Sequence, residues 1–92
     1  MIKENTYFEG NVKSLGYATE NGNSTVGVMD VGEFEFNTGG PEVMTVIEGS
    51  MLVLLAGETH WQTFVSGQSY DVPGNSSFKV KVESQVSYLC QY

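Results

Sequence analysis

Reactive side chains are scarce in this chain, and their spacing narrows the chemistry open to it. The 92 residues include eleven acids, four lysines, one histidine, one cysteine and no arginine. His60 follows Gly57-Glu58-Thr59 and reads as a surface-loop residue. Cys90 ends the stretch Val86-Ser87-Tyr88-Leu89-Cys90, with no neighbour in sequence to activate a thiolate, and reads as a small buried residue. Lys79 and Lys81 alternate with Phe78, Val80 and Val82, so a strand that turns its apolar residues inward turns both lysines out. An anion held inside the fold then depends on neutral donors. The loop Gly74-Asn75-Ser76-Ser77 is a candidate, because glycine-containing turns expose consecutive amides; a plain turn after Pro73 is the alternative.

The elements that must position these groups are strands. Apolar residues recur at period two or in short solid runs, broken by Gly, Asn, Ser or Pro, and no stretch shows helical periodicity of useful length. Predicted strands cover residues 26–31, 33–38, 43–47, 51–55, 61–65, 68–72, 78–82 and 86–90. The series amounts to roughly eight to ten strands at the spacing of an all-β sandwich or barrel. The whole chain, residues 1–92, reads as a single domain without repeats or linkers. At this size a fold buries only roughly 60–65% of the surface its unfolded chain exposes.

Segments 43–47 and 51–55 are apolar on both faces, where a strand covering one side of a core should be polar on the other. A second covering surface is needed, and a homodimer packed through these strands supplies it. A thick core on one side is the alternative. The net charge of −7 argues against nucleic acid, whose phosphates call for Lys and Arg, and against an anionic membrane surface. One cysteine allows no intrachain disulfide, which fits a reducing compartment. The opening Met1-Ile2-Lys3-Glu4-Asn5-Thr6 has no apolar segment of the kind that directs secretion, and the longest apolar run, Met51 to Ala56, is strand-sized. A cytoplasmic location is expected.

Two spacings resemble the cupin motifs. Glu42 precedes Gly49 by seven positions in Glu42-Val43-Met44-Thr45-Val46-Ile47-Glu48-Gly49, and Gly67 precedes Pro73 by six in Gly67-Gln68-Ser69-Tyr70-Asp71-Val72-Pro73. The resemblance implies a single cupin barrel of jelly-roll type, with Glu42 pointing inside. It also implies where a cupin metal would sit. The positions of its three histidines fall on Phe36, Thr38 and Phe78, leaving Glu42 alone of the ligands. One carboxylate cannot hold a transition metal that needs three or four donors, so no metal or other cofactor is expected.

A closer resemblance runs through Tyr7-Phe8-Glu9-Gly10-Asn11-Val12, Val26-Gly27-Val28-Met29, the 42–55 segment, Asp71-Val72-Pro73-Gly74 and Ser87-Tyr88-Leu89-Cys90. On these the chain is similar to the pyrimidine/purine nucleoside phosphorylases, small single-domain cupins without a metal. The resemblance implies an enzyme that uses inorganic phosphate to cleave purine and pyrimidine nucleosides to free base and ribose 1-phosphate. For that chemistry Glu42 is the expected catalytic residue, bonding the ribose or stabilising the sugar cation from a site where desolvation raises its pKa. An interior carboxylate tied to amides of the Gly39-Gly40-Pro41 turn is the alternative. Phe36, Thr38, Tyr70, Phe78, Gly74 and Asn75 are the expected substrate contacts, the aromatic rings either stacking on a base or packing as core. A non-catalytic cupin that captures a small polar ligand is the alternative function, and a dimeric structural protein with a filled barrel is a third.

Overall fold

The computed structural model describes residues 1–92 as ten strands: β1 (Lys3–Tyr7), β2 (Val12–Thr19), β3 (Gly22–Met29), β4 (Gly32–Thr38), β5 (Glu42–Glu48), β6 (Ser50–Leu55), β7 (Gln62–Val65), β8 (Ser69–Val72), β9 (Ser76–Val82) and β10 (Val86–Gln91). A single 3-10 turn, Phe8–Gly10, joins β1 to β2. All pairings are antiparallel and fall into two sheets, a six-stranded one ordered β1-β2-β3-β10-β5-β8 and a four-stranded one ordered β4-β9-β6-β7. The two face each other across a shared core that includes Val46, Met51, Val53, Val80 and Val86. Burying each such side chain contributes roughly 1.5–3 kcal/mol.

The expected all-β architecture is present, but no hydrogen-bonded ladder links the two sheets into one closed ring. Nor do the segments around Gly49 form a hairpin. β5 pairs with β10 and β8, whereas β6 pairs with β7 and β9. Gly49, at φ 98°, turns the chain from one sheet into the other, and Gly67, at φ 88°, makes the later turn of the same kind. Each segment sends one row of side chains into the common core, Met44 and Val46 from β5 and Met51 and Val53 from β6, and leaves the other row on opposite outer faces. That is why both read as apolar throughout.

The strands at 3–7 and 12–19 were not among those predicted from sequence. In β2 the inward row is Val12, Ser14 and Gly16, while Leu15 and Tyr17 point outward at 47% and 38% exposure. Beyond Val12, which belongs to the core, the inward row is the small residues Ser14 and Gly16, and Ser14 faces a cavity, so the usual apolar-inward pattern is lost there.

Candidate active site

The cavity has a volume of about 470 Å³ and is walled by β1, β2, β3, β5 and β10 on one side and β4 and β9 on the other. That lies in the range of small-molecule sites. Alternation places Glu42, Met44 and Val46 on the inner face of β5, and Tyr88 and Cys90 on the inner face of β10 beside it. Cys90 Sγ donates to Glu42 Oε1 at 3.4 Å. Half-burial pushes the Glu42 carboxyl above its ordinary value, and the Cys90 contact only partly offsets this. The Cys90 thiol is pushed up to about 12, mainly by burial and further by the Glu42 charge, so it stays neutral and acts as a donor. The carboxylate's partner is thus a thiol, not the amides of the Gly39-Gly40-Pro41 turn.

A second polar row crosses the same sheet. Asn5 Nδ2 donates to Ser14 Oγ at 3.3 Å, and Ser14 stands beside the Tyr88 hydroxyl, whose pKa is raised to about 12 chiefly by burial. Tyr88 reaches Ser14 by lying across Gly27, the residue between them in register. A Cβ on Gly27 would stand 2.6 Å from Tyr88 Oη and 2.7 Å from the Lys13 carbonyl oxygen. Only glycine leaves room for this contact.

The opposite wall is aromatic. Phe36 on β4 stacks on its cross-strand partner Phe78 of β9, with ring centroids 5.4 Å apart and planes 26° apart. Phe8 leans over from the 3-10 turn, 5.0 Å from Phe34 and edge-on to Phe36 at 5.5 Å. Its turn holds three successive residues in the left-handed region, Phe8 at φ 52°, Glu9 at 58° and Gly10 at 96°. That conformation costs on the order of 1–3 kcal/mol at each non-glycine residue and tends to occur at functional sites.

The cavity therefore brings together Glu42, Phe36 and Phe78 of the residues picked out by sequence, and leaves the others outside its lining. Thr38 is buried, its hydroxyl donating to the Pro73 carbonyl at 2.7 Å and accepting from the Ser76 amide at 3.0 Å. Tyr70 packs between Phe64 and Phe78, its hydroxyl directed at Met51 Sδ at 3.4 Å, and burial pushes its pKa up strongly. The Asn75 amide donates to the Gly39 carbonyl at 2.9 Å, and Gly74 packs against the same turn. With the Asn75 and Ser76 amides so engaged, this loop fastens β9 to the β4–β5 turn. No three His, Cys, Asp or Glu side chains converge as a metal cluster anywhere in the chain. The sequence reading missed Lys3, Asn5, Ser14, Thr25 and Tyr88 as lining residues, and Cys90 as the carboxylate's partner. The signal for Cys90 was register, since it pairs with Met44, two residues beyond Glu42 on the same face.

Two facing antiparallel sheets around such a cavity define a cupin-like protein. An RmlC-like cupin from Shewanella frigidimarina superposes with a TM-score of 0.73 at 15% identity, over 98% of this chain and 81% of that one, a likeness of fold alone. The family model for pyrimidine/purine nucleoside phosphorylase matches residues 2–92, and the chain belongs to that family. A pyrimidine/purine nucleoside phosphorylase from Tolumonas auensis is 53% identical over 100% of this chain and 99% of its own length. One from Vibrio cholerae is 50% identical over 100% and 97%. A crystal structure from Vibrio parahaemolyticus, of a protein described as of unknown function, has a TM-score of 0.98 at 50% identity, covering 100% of this chain and 98% of that one.

Proposed function

We propose that this chain is a nucleoside phosphorylase that converts purine and pyrimidine nucleosides and inorganic phosphate to free base and ribose 1-phosphate. The observation that carries the reading within this family is a half-buried carboxylate, Glu42, sharing one cavity with the Phe36–Phe78 stack. Phosphorolysis breaks the bond from C1′ to the base nitrogen and forms one from C1′ to a phosphate oxygen. The base leaves with the electron pair of the broken bond and takes up a proton. Between these events the sugar carries positive charge, which a pre-oriented carboxylate in a poorly hydrated site stabilises better than water does. The aromatic stack offers the base a flat apolar surface without reading its edge, which suits both purines and pyrimidines. Of the residues picked out by sequence, contacts to substrate fall to Glu42, Phe36 and Phe78, with Phe8 edge-on to Phe36 as a further wall of the base slot, while Thr38, Tyr70, Gly74 and Asn75 hold the frame around them. No step is assigned to a metal or an organic cofactor.

In this reading the two sheets are the halves of one cupin barrel whose interior is the active site. The enzyme acts as a homodimer joined through the outer face of the six-stranded sheet. A lone buried cysteine suits a reducing compartment and so a cytoplasmic location. The test is to incubate purified protein with uridine or adenosine, with and without phosphate, and separate the products. Free base and ribose 1-phosphate should appear only with phosphate. Binding of nucleoside with no release of base would favour a ligand-capturing cupin instead.

A further inference from the structure

Phosphorolysis needs a place for inorganic phosphate, and that place must lie away from the Glu42 carboxylate while still reaching C1′. The chain has no arginine and four lysines. Lys13 and Lys79 are exposed on outward rows of β2 and β9, and Lys81 Nζ sits 4.5 Å over the Trp61 ring. Lys3 on β1 is the one lysine that lines the cavity.

Its surroundings form a small cradle. In register, Lys3 lies opposite Gly16 of β2, and Gly16 opposite Thr25 of β3, while Asn5 follows Lys3 on the same face of β1. A Cβ on Gly16 would lie 3.6 Å from Lys3 Cβ, 3.7 Å from Thr25 Cγ2 and 3.8 Å from Asn5 Nδ2. Three side chains thus pack over a residue that has none, and all three line the cavity beside it. Lys3, Asn5, Thr25 and Ser14 bring an ammonium, an amide and two hydroxyls to this wall of the cavity, where Asn5 Nδ2 donates to Ser14 Oγ. These are donors of the kind that bind a phosphate dianion, and the lysine supplies the charge-assisted bond. The carboxylates of the lining, Glu35 and Glu42, stand on β4 and β5, strands that are not neighbours of β1 or β2.

The distance to the sugar also fits. Thr25 is the cross-strand partner of Cys90, and Cys90 donates to Glu42. A phosphate held by Lys3 and Thr25 therefore lies on the row that runs from Thr25 to the thiol that touches the carboxylate. A ribose placed over β3 and β10 would meet Glu42 on one side and the phosphate on the other.

We propose that Lys3, Asn5 and Thr25, with Ser14 beside them, form the phosphate subsite of the cavity. The proposal rests on the phosphorylase reading for its ligand. Lys3→Gln removes the charge, Gly16→Ala sets a methyl against Lys3, Asn5 and Thr25 and so disturbs their placement, and Lys3→Arg keeps a cation able to bind phosphate. Lys3→Gln should raise KM for phosphate roughly ten- to a hundredfold, the range of one charge-assisted hydrogen bond, and Gly16→Ala should raise it in the same direction. KM for uridine should change less than about twofold, a bound on the same scale, and Lys3→Arg should recover most of the loss. A second measurement needs no turnover. Inorganic phosphate at matched ionic strength should raise the Tm of the unaltered protein and fail to raise that of Lys3→Gln or Gly16→Ala. If turnover occurs and both variants keep the original KM for phosphate, the subsite is overturned. If turnover fails while phosphate still stabilises the protein through Lys3 and Gly16, the subsite stands and the phosphorylase reading falls. Absence of both effects overturns both.

Discussion

A carboxylate held above its ordinary pKa by desolvation has consequences for stability as well as activity. For Glu42 the folded-state pKa lies above the unfolded one, so the fold binds the proton more tightly than the unfolded chain does. The stability this contributes is fully present below the ordinary carboxylate range and is lost as pH rises through the shifted value. At neutral pH ionised Glu42 is therefore a burden on the fold, and Glu42→Gln, which keeps an acceptor for the Cys90 thiol, should hold or raise Tm there. The same change should lower kcat by roughly ten- to a thousandfold, the range for losing one electrostatic stabiliser. In the unaltered enzyme, kcat should decline toward acid with a midpoint above that of an ordinary Glu, and this limb should be missing from the Gln variant. A structural carboxylate would give the reverse, a lower Tm with unchanged kcat per folded molecule. Calorimetry and a pH–rate profile on the same two proteins separate these outcomes.

Among the elements, legibility followed burial. β4 and β9 were readable because core and outer rows differ in polarity along them, as in Phe78, Val80 and Val82 against Lys79 and Lys81, and β5 and β6 because they are short apolar runs parted by Gly49. The inward facing of Phe78, Val80 and Val82 agrees with the structure, and Glu42 lines one cavity with Phe36 and Phe78. β1 and β2 were missed because their inward residues, Lys3, Asn5, Ser14 and Gly16, are polar or small, and alternation alone does not distinguish such a row from a loop. Thr38, Tyr70, Gly74 and Asn75 sat at the right positions along the chain, but sequence does not reveal that neighbouring carbonyls and rings already engage them. The row Ser14–Gly27–Tyr88 carries its own prediction. Gly27→Ala meets the Lys13 carbonyl as well as the tyrosine ring, and the backbone side cannot swing away. Overpacking of this kind costs roughly 1–3 kcal/mol, and a domain of this size loses about 4–8 °C of Tm for each. A thermal melt of Gly27→Ala within a degree of the original would show that the row can relax. The Phe8 turn predicts the opposite balance. Phe8 is 40% exposed and its backbone strained, so Phe8→Ala should leave Tm nearly unchanged while raising KM for uridine and adenosine alike. An unaltered KM for both nucleosides would remove Phe8 from the base slot.

For the whole molecule, the outer face of the six-stranded sheet is the surface most in need of a partner. Leu15, Val26, Leu89 and Thr45 lie in register across four strands, with Val28 and Ile47 beside them at 50% and 46% exposure. A two-fold pairing of this face would bury the row against itself. Val26→Glu at its centre should yield monomers in sedimentation equilibrium, where the unaltered chain should sediment as a dimer; a stable monomer of the unaltered chain at micromolar concentration would refute the pairing. One further property comes from the position of β1. It lies at the end of its sheet, bonded only to β2, and four of its five residues are exposed. Strands held by one ladder open at lower free energy than the body of a fold. The wall that bears Lys3 and Asn5 can therefore peel away while the core stays folded, emptying one end of the cavity without global unfolding. Amide hydrogens of β1 should exchange with solvent deuterium well before those of β10, and phosphate should slow the first set and leave the second as it was.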